Sequence, residues 1–150
     1  MPSLLGSSMN EPTDSPRIRF TMPVAVHLIL IQDEEILLLR RFNTGYEDGK
    51  YSVIAGHLDG GETVLETMAR EAREEAGIEL AHAQLAAVMH RRAQDEERID
   101  FFVVCHEWTG AIRNLEPQKC DEFRWVSVGT LPANTIPYVA AGIDAWRSGR

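Results

Sequence analysis

Two long apolar runs separated by a polar break dominate the first third of the chain. Val24 to Ile31 is apolar except for His27, and it is bounded by Gln32-Asp33-Glu34. A continuous apolar run of this length, rich in β-branched residues, predicts a strand buried on both faces. The polar triplet predicts a turn, and Glu35 to Arg41 the second arm of a hairpin. Phe42 to Lys50 is polar and glycine-containing, hence a loop. Tyr51 to Ala55 predicts a short strand, followed by a glycine-rich loop from Gly56 to Thr63. The periodicity then changes. Val64, Leu65, Met68, Ala69, Ala72 and Ala76 recur at helical spacing and predict a helix over Val64 to Ala76. Thr63 is its expected cap and Gly77 its terminator.

Beyond the helix, Leu85 to Arg91 and Ile99 to Trp108 predict strands around an acidic connection, Asp95-Glu96-Glu97. Phe123 to Val128 predicts another strand. Pro137 to Arg147 predicts a closing helix, with Asn134 and Thr135 as candidate caps. Strands on both sides of a central helix, with a second helix at the end, predict an α/β fold of the α+β kind: a mixed β-sheet between helices. The Ser, Pro, Asn and Gly content of residues 1–16 predicts a flexible arm before a single domain over residues 17–150.

Composition narrows the function classes. The 150 residues suffice for one domain with a substantial core, and 44% hydrophobic with 25% charged is ordinary for a globular protein. The net charge of −8 speaks against binding polymeric nucleic acid, which needs a basic face. It leaves small anionic substrates open, because a bound divalent cation inverts the local field. No apolar run reaches membrane-span length, and the first residues lack a basic segment followed by an apolar one. Cys105 and Cys120 have no ligand spacing and read as reduced thiols. A cytoplasmic protein without membrane attachment is the expectation.

The candidate chemistry lies in the loop and the first helix. Glu71, Glu74 and Glu75 stand at i, i+3 and i+4, so three carboxylates share one face. Like charges at this spacing repel. A hard cation with oxygen ligands would explain the cost, whereas Arg70 and Arg73 make an ordinary salt-bridged helix the bland alternative. The preceding loop, with Gly56 opening a turn and Gly60-Gly61 allowing close backbone approach, favours the cation.

The stretch from Gly56 through Glu62 to Arg70-Glu71-Ala72-Arg73-Glu74-Glu75-Ala76-Gly77-Ile78 resembles the full Nudix box, G-x5-E-x7-R-E-U-x-E-E-x-G-U with U a bulky aliphatic. Ala72 at a U position is the one soft departure. The resemblance implies a Nudix-type α/β/α sandwich and a Mg²⁺-dependent, MutT-like pyrophosphohydrolase, with Mn²⁺ as an alternative cation. It implies Glu71, Glu75, Glu74 and the Ala55 carbonyl as metal ligands. Arg70 would pair with Glu62, and Gly56 and Gly77 would be structural. Glu74, Glu75 and Glu116 are the candidate catalytic carboxylates, Glu116 being preferred to Glu122 as a base supplied from a later loop. Arg41, closing the second strand, and Asp121 are candidate substrate contacts.

The segment Arg113 to Glu122 resembles that of Nudix nucleoside-triphosphate diphosphatases. It favours a modified nucleoside triphosphate, cleaved to monophosphate and pyrophosphate, over a conjugate such as ADP-ribose or a nucleotide sugar. A silent nucleotide-sensing module is the alternative of another class. Related enzymes often form homodimers. Arg40, Arg91 and Arg92 could each touch phosphate or simply face solvent, and the histidines form no readable cluster.

Overall fold

The computed structural model describes residues 17–93 and 96–149. The expected N-terminal arm and Asp95 lie outside them. The described elements are β1 (Val24–Gln32), β2 (Glu35–Arg41), β3 (Tyr51–Ser52), β4 (Ala55–His57), α1 (Val64–Ala76), β5 (Glu79–Ala81), β6 (Gln84–Ala93), β7 (Glu96–Cys105), β8 (Glu107–Thr109), β9 (Cys120–Ser127) and α2 (Pro137–Ser148).

β1 pairs in parallel with β7 and antiparallel with β2 and β4, so the sheet is mixed, as the element order predicts. Its two faces carry separate cores. Val26, Leu28 and Leu30 pack with Met68, Ala72 and Ala76 of α1. Ile29, Ile31 and Phe102 pack with Val139 and Ile143 of α2. Burial on both sides explains the unbroken apolar runs of β1 and β2. The result is an α/β/α sandwich.

One departure from regular pairing creates the functional region. β1 and β2 pair only at their hairpin end, through Ile31 with Ile36 and Gln32 with Glu35. They then diverge. β4 takes the place of β2 beside Ala25, Val26 and His27. Between β3 and β4, the Ile54 carbonyl accepts from Leu28 N–H at 2.9 Å. The single strand expected over Tyr51 to Ala55 is therefore two pieces that cross from one partner to another.

The helix α1 has the expected limits. Thr63 Oγ accepts from Glu66 N–H at 3.1 Å, and the Glu66 carboxylate accepts from Thr63 N–H at 2.9 Å, closing a capping box. Gly77 ends it in the left-handed region, φ 72°. Leu65, expected on the apolar stripe, is exposed, and Thr67 is buried instead because its hydroxyl donates to Glu62.

Other expectations are corrected. Glu96 and Glu97 belong to β7 rather than to a connection, and the strand expected to run to Trp108 breaks at His106. Neither Asn134 nor Thr135 caps α2: Asn134 donates to the Gly49 carbonyl, Thr135 to the Pro132 carbonyl, and Ile136 occupies the cap position. On α2, a Cβ at Gly142 would overlap the Phe102 ring. Gly142→Ala is accordingly expected to destabilise the fold by about 1–3 kcal/mol, read as a lowered urea midpoint with unchanged slope.

Candidate active site

The capping box and the αL terminator fix the register of α1, and with it the direction of every carboxylate on that helix. Arg70 is the hub. Its Nε donates to both Glu62 oxygens at 3.1 and 3.0 Å, and its Nη1 reaches Glu71 at 3.2 Å and Glu74 at 3.3 Å. Thr67 Oγ1 adds a bond to Glu62 at 3.1 Å. The loop is thus bound to the helix through one carboxylate, as expected for Arg70 and Glu62. Hydrogen bonding to Arg70 holds the Glu62 carboxyl below its ordinary range.

Gly56 has a different job from the one expected. It lies in β4, paired with Val26, and its backbone does not have a positive φ. A Cβ there would overlap the Glu71 carboxyl group. Its lack of a side chain lets Glu71 lie against the strand. Gly60 and Gly61 do require the left-handed region, at φ 97° and 83°.

Glu75 is the most perturbed group of the helix. Burial, a hydrogen bond with the Glu71 carboxyl and the field of Glu116 push its pKa up to about 10, opposed by a hydrogen bond from Ala55 N–H. Without a cation, Glu75 therefore holds a proton. Among the described residues no group of three or more His, Cys, Asp or Glu side chains is already gathered at ligating distance. The two facts agree: Glu71 and Glu74 lean toward Arg70, and Glu75 is neutral. The side chains that act on Glu75, Glu71 and Glu116, are carboxylates, which suits a hard divalent cation that displaces the proton.

A folded-state pKa above the ordinary 4.5 means that the folded state binds more protons than the unfolded one. This contribution is full below the unfolded pKa and is lost as pH rises toward about 10. Cation-free protein is expected to lose melting temperature as pH rises above about 4.5, and Mg²⁺ to flatten that loss; calorimetric scans at several pH values read both.

One cleft opens onto Glu75 and a second adjoins it. One, of about 220 Å³, is lined by Glu75, Glu116, Asn114, Lys119, Arg41 and Ala55 among others. The other, of about 340 Å³, lies beyond Gly56 and is lined by His27, Arg91, Arg98, Tyr138, Arg41 and Ala55 among others. Arg41 and Ala55 belong to both walls. Arg41 is held by the Tyr46 carbonyl at 2.6 Å and by Thr44 Oγ1 at 3.0 Å.

Of the residues singled out from the sequence, Glu75, Glu116, Ala55 and Arg41 line one cleft. Glu74 does not join them: it is half exposed, faces Arg70 and lines neither cleft. Asp121 is also elsewhere, bound to Arg40 Nε at 2.8 Å, and Glu122 accepts from Tyr51 Oη at 2.8 Å. Sequence reading singled out the Arg113 to Glu122 segment without assigning Asn114 and Lys119 a role, and of the second cleft it named Arg41, Ala55 and Arg91 but not His27 or Arg98 as site residues. A local signal for that cleft was His27, a polar residue inside the apolar run Val24 to Ile31.

The NUDIX domain family profile matches residues 21–146. The chain belongs to the NUDIX domain family. Nudix hydrolases act on pyrophosphate bonds of nucleotide substrates and generally use a divalent metal. The chain is 30% identical over 118 residues to the NAD-capped RNA hydrolase NudC of Stutzerimonas stutzeri, covering 79% of this chain and 40% of that protein. It therefore spans about two fifths of that relative's length. A putative 8-oxo-dGTP diphosphatase of Bacillus subtilis is 27% identical over 123 residues, covering 81% of this chain and 77% of its own. The crystal structure of a MutT NUDIX hydrolase from Burkholderia pseudomallei superposes with TM-score 0.77 at 25% identity, covering 83% of this chain and 98% of that one. Among the described residues, no helix of this Nudix domain is long and apolar enough to cross a membrane.

Proposed function

We propose that this chain hydrolyses the diphosphate linkage of a nucleotide derivative, with Mg²⁺ or Mn²⁺ held by Glu71, Glu75 and the Ala55 carbonyl. The observation that carries the reading is Glu75: a partly buried carboxyl, forced to keep its proton by burial, Glu71 and Glu116, in a cleft that shares Arg41 and Ala55 with a second one. The cation supplies charge neutralisation at the diphosphate oxygens and makes water easier to deprotonate. The chain's own residues do the rest. Arg41, on the wall common to both clefts, orients phosphate. Glu116, beside Glu75, accepts a proton from the attacking water as its oxygen bonds to phosphorus and the bridging oxygen leaves. Arg70 positions Glu62, Glu71 and Glu74 without entering either cleft.

Two substrate classes place a diphosphate here. A nucleoside triphosphate, expected from the Arg113 to Glu122 segment, has an organic group at one end only. A nucleoside-diphosphate conjugate has one at each end. Glu75 and Glu116 line one chamber, a second chamber shares its Arg41 and Ala55 wall, and room for a group in each favours the conjugate. The triphosphate signal is also weakened because several of its residues serve the loop: Asn114 Nδ2 donates to the Cys120 carbonyl at 2.7 Å, and Asp121 is held by Arg40.

Product analysis separates the classes. With Mg²⁺, a dinucleotide such as NAD should yield two monophosphates, and triphosphates should be poorer substrates by kcat/KM. Release of pyrophosphate from triphosphates, with dinucleotides inert, would return the assignment to the first class.

A further inference from the structure

The second cleft contains buried polar atoms that the fold itself leaves unused. His27 is 2% exposed, and its Nε2 lies 2.9 Å from Asp100 Oδ1. Asp100 is fully buried and also receives Arg91 Nε at 2.9 Å. Burial lowers the His27 pKa despite Asp100, so the ring is neutral. A neutral imidazole that donates Nε2–H to a carboxylate keeps its lone pair on Nδ1, which makes Nδ1 an acceptor.

That Nδ1 is buried and has no hydrogen-bond partner among the described residues. The same holds for Arg91 Nη2 and Arg98 Nε. All three residues line the one cleft. Buried polar groups are nearly always paired, so three orphans on one wall ask for a ligand. The guanidinium of Arg91 is fixed in plane by Tyr138, whose ring centroid lies 3.7 Å away. Arg98 is steadied by Glu96 at 3.1 Å.

The wall therefore offers two cationic donors and one neutral acceptor. Guanidinium donors are strongest toward phosphate oxygens. Arg41, Arg91 and Arg98 outnumber Glu96 among the cleft's charged residues, in a chain of net charge −8. A fully ionised phosphate has no hydrogen to give His27; a sugar hydroxyl has.

We propose that this cleft recognises a ribose that carries a phosphate of its own, besides the diphosphate that is cleaved. Arg91 and Arg98 take the phosphate, and His27 accepts from a ribose hydroxyl. The inference rests on the hydrolase reading for its place in a reaction, but not for the binding itself.

The test uses cation-free protein, in which the box carboxylates repel phosphate. Ribose phosphate and ribose are titrated separately by NMR. Ribose phosphate should bind at least about tenfold more tightly, and the imidazole nitrogen resonances of His27 should move on saturation. Arg98→Gln should remove the difference between the two ligands. Equal affinities, or a difference that survives Arg98→Gln, would overturn the proposal.

A second arm compares kcat/KM for NADP and NAD in the presence of Mg²⁺. A preference for NADP that collapses in Arg98→Gln supports the proposal, and equal values in the wild type oppose it. If neither dinucleotide is cleaved while ribose phosphate still binds selectively, the dinucleotide reading fails and the site stands.

Discussion

Glu75→Gln is expected to reduce turnover by at least about 10²-fold while the protein remains folded. The reason is the state of the wild-type group. In the absence of a cation Glu75 is neutral, pushed up to about 10 by burial and by Glu71 and Glu116. Glutamine is a close isostere of that protonated carboxyl and carries an N–H that can still meet Glu71. The cation-free fold should lose nothing, and the decline of melting temperature with rising pH should become shallower. What the amide cannot do is release a proton and present an anionic oxygen to a cation. Calorimetric Mg²⁺ titration, thermal melts and turnover of the same sample separate these effects. A variant as active as the wild type would remove Glu75 from the metal site.

Gly56→Ala should be comparably damaging to activity, for a steric reason. The new methyl would overlap the Glu71 carboxyl group, so Glu71 has to swing away or β4 has to move off α1. We expect a stability loss of about 1–3 kcal/mol, together with weakened cation binding. Gly60 provides the contrast. Its φ of 97° strains any other residue, yet nothing lies within 4 Å of its absent Cβ. Gly60→Ala should lower stability by about 1 kcal/mol through the backbone and leave cation affinity much closer to wild type. Equal cation affinities for Gly56→Ala and wild type would show that Glu71 does not need its place against the strand.

How much of this was legible in the sequence depends on how local each cause is. The limits of α1 were legible because the cap at Thr63 and the left-handed Gly77 are decided within a few residues. The hairpin of β1 and β2 was legible for the same reason. The transfer of pairing from β2 to β4 was not, since it depends on strands that meet across the fold. Nor was the short pairing of β5 with β8, which joins Leu80 to Trp108. Periodicity placed Leu65 on the buried stripe, but Glu62 draws Thr67 inward instead.

The site divides along the same line. Spacing placed Glu71, Glu74 and Glu75 on one helix face, and the resemblance to the Nudix box added Glu62 and Arg70, which sit on the same loop and helix. Glu116 reaches Glu75 through a turn in which Asn114 Oδ1 accepts from Glu116 N–H at 3.0 Å. That contact crosses from one element to another and could only be guessed. The His27, Asp100 and Arg91 cluster spans three strands, and although His27 stands out in its apolar run, nothing local pairs it with the other two. Asp121, a candidate substrate contact from the sequence, is bonded to Arg40 across two strands, a pairing no local pattern shows.

The most direct test of the central claim is the rate of NAD cleavage as Mg²⁺ is titrated into cation-free protein, with products resolved by chromatography. The account predicts no turnover before the cation is added, saturable turnover afterwards, and two monophosphates as the only products. Cleavage undiminished by a chelator would contradict it, as would absence of cleavage of every diphosphate-linked nucleotide at saturating Mg²⁺ or Mn²⁺.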